Sequence, residues 1–218
     1  MLIVIEGPDG AGKTTIMEYL KKHIVQPNVH FTNPFDNDYG RSVKSVLNYS
    51  DISFPTVSQN EQIFKFTHKF ELMKNVLYNA HELWKEKILS PDHLVFMDRW
   101  IPSFYTYQQP YFMEETSKFF SQYFDYHEGS CIRPHMTFYL MPSEDVLIER
   151  IHARKVKDNL DDYFLSKIHQ IVQDYCRYIL LYESETSHKI IDTAMENSTD
   201  QVLTLFKTWL FERGCVHV

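Results

Sequence analysis

Apolar residues along this chain alternate between two rhythms. Leu2–Glu6, Leu94–Met97 and Thr137–Met141 are short, nearly unbroken apolar runs, the pattern of strands buried on both faces of a parallel sheet. Val29–Thr32, closed by Asn33-Pro34, and Lys189–Asp192 read as two further short strands. Between the runs the period lengthens to that of a helix. Ile16 and Leu20 lie four apart in Thr14–Lys22, and Ile63, Phe66, Phe70, Met73, Leu77, Ala80, Trp84 and Ile88 make one stripe that predicts a long helix over Glu61–Ile88. That stripe fits core packing and a dimer face equally well. Helices are also predicted near Arg41–Leu47, from an N-cap at Ser143 to about Arg154, over Tyr163–Tyr182 and over Thr199–Phe211. Strands alternating with helices predict an α/β fold, a five-stranded parallel sheet with helices on both faces. Residues 1–218 read as one domain, since no internal repeat or low-complexity linker divides them.

Composition narrows the functional classes. A net charge of −7 argues against a protein that coats polymeric nucleic acid, which needs a basic face, but leaves small phosphorylated ligands open. The three cysteines, Cys131, Cys176 and Cys215, have neither paired nor metal-ligand spacing, so reduced thiols in a cytoplasmic protein are expected. The apolar run at Met1–Ile5 is too short for a signal sequence or a membrane span.

The first chemical motif follows the first strand. Gly7-Pro8-Asp9-Gly10-Ala11-Gly12-Lys13-Thr14 matches G-x-x-x-x-G-K-[ST] at every required position, between a predicted strand and a predicted helix. Glycines let the backbone wrap a phosphate, and amides at a helix N-terminus favour an anion. Lys13 can reach terminal phosphates and the Thr14 hydroxyl can hold Mg²⁺, with Thr15 beside it. Alone, this motif establishes nucleotide binding.

A second motif, Asp98-Arg99, ends a buried strand, where open α/β sheets place their ligands. By itself the pair is as consistent with a surface salt bridge. Its continuation, Asp98-Arg99-Trp100-Ile101-Pro102-Ser103-Phe104-Tyr105-Thr106-Tyr107-Gln108, resembles the D-R-[YW]-x-x-S-x-x-A-Y-Q segment of thymidylate kinases. Ile5–Thr15 is similar to that family's I-E-G-x-D-G-A-G-K-T-T, Arg133–Leu140 to its R-P-D-L-T-[IL]-Y-L strand, and Lys189–Ala194 to its late I-D-A strand. The resemblance spans nearly the whole chain.

It implies a P-loop kinase fold and transfer of the ATP γ-phosphoryl group, with Mg²⁺, to a deoxynucleoside monophosphate: dTMP, dUMP or a 5-modified dUMP. Asp9 would accept a hydrogen bond from the 3′-hydroxyl, Arg99 would bridge the two phosphates, and Asp98 would help place Mg²⁺ through water. Ser103, Tyr107 and Gln108 would line the nucleoside pocket, Tyr107 crowding the place of a 2′-hydroxyl. Phe66 would stack on the base or pack in the core. A lid over residues 150–163 would supply the remaining cations, Arg154 first and Arg150 next, although Arg150, His152, Arg154, Lys155 and Lys157 also fit a solvated helix face. The family is commonly homodimeric, which favours the dimer-face reading of the long stripe.

Three positions depart from the family pattern. Pro34 is followed by Phe35-Asp36-Asn37-Asp38 where a phosphate-gripping Arg is usual, leaving Arg41 to substitute within an acceptor region of about 33–58. Lys69 stands for the Arg that contacts the pyrimidine, without its two-pronged geometry. The lid's D-R-x-E reads Asp158-Asn159-Leu160-Asp161. Two other classes compete: a deoxynucleoside kinase, which needs a carboxylate base at a hydroxyl and for which Glu6 is not obviously placed, and a non-catalytic P-loop regulator or inactive family member.

Overall fold

The computed structural model describes residues 1–49, 75–108, 133–154, 161–183 and 187–214. Five parallel strands, β1 (Leu2–Glu6), β2 (Val29–Thr32), β3 (Leu94–Asp98), β4 (Met136–Leu140) and β5 (His188–Ile191), form one sheet in the order β2-β3-β1-β4-β5. All five predicted strands are present, two of them shifted by a residue. β1 lies at the centre with every residue buried, which is why it reads as an unbroken apolar run. The register sets Ile5 opposite Asp98 on one side and Phe138 on the other, so the C-terminal ends of three strands meet at the P-loop.

The helices are α1 (Lys13–His23), α2 (Asp38–Tyr49), α3 (residues 75–89), α4 (Ile101–Gln108), α5 (Glu144–His152), α6 (Asp161–Tyr182) and α7 (Ser198–Glu212). Alternate strand residues feed two cores. Ile3, Ile5, Phe96 and Phe138 pack with Leu20 of α1, Leu147 of α5 and Phe206 of α7. Leu2, Val4, Met97 and Tyr139 face the other way, onto Ala80 of α3, Phe104 of α4 and Tyr175 of α6. The sheet is therefore covered on both faces.

Three elements differ from expectation. α2 begins earlier and runs further than Arg41–Leu47. α4 has no counterpart in the sequence reading. Ser143 is the N-cap of α5, but its side chain makes no capping bond. Of the long helix predicted over Glu61–Ile88, residues 75–89 are helical and the rest lies outside the described residues.

Candidate active site

Backbone geometry fixes the loop between β1 and α1. Gly7 has φ +141°, and a Cβ on it would lie 2.4 Å from the Leu140 carbonyl oxygen, so the loop passes too close to β4 for any side chain. α1 starts from a left-handed Gly12 with no side-chain cap and no acid in its first turn, leaving its first amides and positive dipole end for an anion. Lys13 is buried and donates to Gly7 O at 2.8 Å and Pro8 O at 2.7 Å; the third hydrogen of its ammonium remains for a ligand. Burial, with help from Arg99, lowers the Lys13 pKa to about 8.

Arg99 is the one non-glycine among the described residues with positive φ, at 73°. Such backbones persist where their surroundings over-determine them, and here both flanks are tied. Arg99 N–H donates to Ile5 O at 3.0 Å, and the Trp100 amide donates to Glu6 Oε1 at 2.5 Å. The guanidinium sits between the P-loop and α4, where Nη2 pairs with Asp9, Nη1 donates to Ser103 Oγ at 3.2 Å, and the group lies 5.2 Å from the Tyr107 ring centre. Burial pushes the Asp9 carboxyl up, but Arg99, Lys13 and Arg154 outweigh it and hold the group below the usual carboxylate range. Tyr107 accepts the Asp9 amide at 3.0 Å, and burial with the Asp9 charge keeps its phenol protonated.

Glu6 lies beneath this layer, fully buried. Its Oε1 accepts the amides of Trp100 and Ser103, capping α4 from another element; its Oε2 accepts the Ser103 hydroxyl at 2.6 Å and lies 3.2 Å from the Tyr175 hydroxyl. Burial raises the Glu6 pKa, against the pull of Ser103, the Trp100 amide, Arg99 and Lys13.

A cavity of about 700 Å³ opens above the P-loop. Gly10, Gly12, Lys13, Thr14 and Thr15 form its floor, Asp98 and Arg99 one wall, and Arg150 and Arg154 another. Asp98 Oδ1 is buried without a hydrogen-bond partner beside this cavity, which Thr14 also lines; two hard oxygen donors of this kind suit a hydrated Mg²⁺. The remaining wall, from Thr193 to Thr199 after β5, was not among the predicted site residues.

The site redistributes several expectations. Arg154 donates to Asp161, the first residue of α6, at 2.6 Å and faces the cavity. Arg150 also lines it but donates to Thr193 O at 2.6 Å, Thr193 Oγ1 at 3.0 Å and Gly10 O at 3.3 Å, so its planar fork is spent joining the β5 loop to the P-loop. Ser103 does not line the cavity; it is buried between Arg99 and Glu6. Ala11 is likewise buried, its carbonyl accepting the Thr193 hydroxyl at 2.8 Å. Arg41 is exposed, paired with Asp38 at 2.6 Å, and is absent from the cavity wall. Phe66, Lys69, lid residues 155–160 and the side chain of Gln108 lie outside the described residues. Glu6 neither lines the cavity nor has exposed surface, which removes it as a base for a nucleoside hydroxyl.

Comparison with known proteins agrees with this arrangement. The family model for thymidylate kinase matches residues 5–204. The chain belongs to the thymidylate kinase family. It is thus a nucleoside-monophosphate kinase, a phosphotransferase. Among curated thymidylate kinases, a probable one from Methanocorpusculum labreanum is 26% identical over 199 residues, covering 88% of this chain and 94% of the relative. One from Buchnera aphidicola is 26% identical over 165 residues, covering 73% and 72%. The solved thymidylate kinase of Candida albicans superposes with a TM-score of 0.68 at 17% identity, covering 98% of this chain and 92% of that one. The Ehrlichia chaffeensis thymidylate kinase gives 0.59 at 18% identity, covering 95% and 97%. At those identities the structures establish the shared fold.

Proposed function

We propose that this chain transfers the γ-phosphoryl group of ATP to dTMP, with dUMP and 5-modified dUMP as the next acceptors. The observation that carries the reading is the convergence of Lys13, Arg99 and Arg154 on one P-loop cavity beside an unpartnered Asp98 oxygen. The acceptor phosphate is mostly a dianion at neutral pH, since its second pKa is about 6. It needs no general base, only alignment against a second anion and cations for the charge that spreads over the transferring group. Thr14 and Asp98 would hold Mg²⁺, which supplies charge neutralisation on the donor phosphates when bound.

Lys13 would direct its remaining hydrogen at the terminal phosphates. Arg99, turned to the junction of P-loop and α4, would face the acceptor phosphate, and Arg154 would exchange Asp161 for the transferring group. Arg150, committed to Thr193 and Gly10, would shape the donor-base end of the cavity; this replaces the transition-state role expected of it. Asp9 and Tyr107 would form the ribose edge of the acceptor site.

The test is ADP release by purified protein with ATP and Mg²⁺ against dTMP, dUMP, 5-hydroxymethyl-dUMP, dCMP, dGMP, dAMP and thymidine. Transfer to dTMP or a dUMP relative is expected. Turnover of thymidine without any monophosphate, or ATP binding without any transfer, would refute the reading. A homodimer is also proposed, to be read by light scattering; a mass at the 26.1 kDa of one chain would refute it. Among the described residues no helix is long and apolar enough to cross a membrane.

A further inference from the structure

Two phosphate-site cations lie on different elements, Lys13 on α1 and Arg99 after β3, and one side chain from a third element touches the partners of both. The Tyr175 hydroxyl of α6 is fully buried, 3.1 Å from Gly7 O, 3.2 Å from Glu6 Oε2 and 2.9 Å from Ser103 Oγ. Gly7 O is also the acceptor that Lys13 uses, and Ser103 Oγ the one Arg99 uses. Two hydroxyl hydrogens serve these contacts. Ser103 has one hydroxyl hydrogen, and its shortest acceptor is Glu6 Oε2 at 2.6 Å. With that hydrogen spent, Ser103 Oγ is an acceptor towards Tyr175, and the single Tyr175 hydrogen is held among Ser103 Oγ, Gly7 O and Glu6 Oε2 at 2.9, 3.1 and 3.2 Å.

We propose that Tyr175 is a positioning residue for the transfer reaction: its hydroxyl fixes the Gly7 carbonyl and the Ser103–Glu6 pair, and through them the placement of Lys13 and Arg99. The inference rests on the phosphotransfer reading above. α6 is suited to the part. Its first residue, Asp161, holds Arg154, and its middle packs on the β4 side of the core through Tyr139. One helix thereby references Lys13, Arg99 and Arg154 together. Tyr175 contributes no group to substrate, so its effect should fall on alignment and not on binding.

The experiment is Tyr175→Phe in the full chain, which keeps the ring and removes only the hydroxyl. Folded fraction is measured by active-site occupancy with radiolabelled ATP, and kcat is normalised to it. A fall in kcat of about 10- to 100-fold is expected, the loss that ångström-scale misplacement of reacting groups brings. KM for ATP and for the monophosphate should stay within about twofold, since binding contacts are intact. Ser103→Ala should cost kcat in the same range, and the double variant little more than either single one, because both act through one network. Normalised kcat at the wild-type level, a proportional rise of both KM values, or an additive double variant would overturn the proposal. If the wild type transfers phosphate to no monophosphate, the functional reading fails and this inference with it; if the wild type turns over and Tyr175→Phe does so equally well, only the inference fails.

Discussion

Lys13→Met should make the protein more stable while removing its activity. The Lys13 pKa of about 8, against an ordinary 10.5, means that the charged side chain is less comfortable in the fold than in the unfolded chain. At roughly 1.4 kcal/mol for each tenfold change in proton affinity, the penalty is about 3 kcal/mol on the charged form at neutral pH. Methionine has nearly the same length, so the stem's packing survives. Two bonds to carbonyls are lost, but neither carbonyl is orphaned. Gly7 O keeps the Tyr175 hydroxyl at 3.1 Å, and Pro8 O keeps the Ala11 amide at 3.2 Å. At about 1 kcal/mol for each bond, the net gain is about 1–2 kcal/mol, or roughly 2–8 °C in Tm for a domain of this size.

The pH dependence gives the sharper check. Between pH 8 and 10.5 the unfolded chain holds the Lys13 proton that the folded chain has released, so wild-type stability gains from this group as pH rises through that window. The variant has no such group. The stability advantage of Lys13→Met should therefore be constant below about pH 7 and shrink between pH 8 and 10. Titrating groups that do not interact with Lys13 cancel in the difference between the two proteins. Urea unfolding of both without nucleotide, at intervals from pH 6.5 to 10, reads the difference directly. A variant less stable than wild type at pH 7, or a difference that does not change with pH, would refute the reasoning. In the same variant ATP turnover should fall at least about 100-fold, since a cation facing the phosphates is gone.

Other substitutions probe other parts of the site. Gly7→Ala places a Cβ 2.4 Å from Leu140 O at a φ of +141°, and should cost about 3 kcal/mol or more in urea unfolding. Asp98→Asn should raise the Mg²⁺ concentration for half-maximal rate by about tenfold or more, measured at saturating ATP, while leaving stability nearly unchanged. Arg154→Ala should lower kcat about 10²- to 10³-fold with KM for ATP changed only a few-fold, because its partner without ligand is Asp161.

The difference between what the sequence displays and what it conceals is one of range. The three central strands were legible because each is an apolar run read locally, the two edge strands as short β-branched or aromatic segments, and the P-loop because its constraints fall within eight consecutive residues. α4 was not, because Ile101–Gln108 is buried nearly all round and mixes Ile, Phe and Tyr with Pro, Ser, Thr and Gln in no helical period; its N-terminus is capped by Glu6, 94 residues away in sequence from Trp100. Arg150 and Arg154, four apart, looked alike as lid cations. They are separated by partners no local pattern could supply, Thr193 for one and Asp161 for the other. The wall from Thr193 to Thr199 reaches the P-loop only because β5 pairs with β4 and β4 with β1, a strand order that alternation alone does not specify. Glu6 shows where more could have been drawn from the sequence. A carboxylate ending a strand that is otherwise Leu-Ile-Val-Ile cannot be buried bare. Its position therefore demands several donors from elsewhere in the chain, and residues such as Ser103 and Tyr175, whose hydroxyls can turn to suit, are the kind that meet the demand.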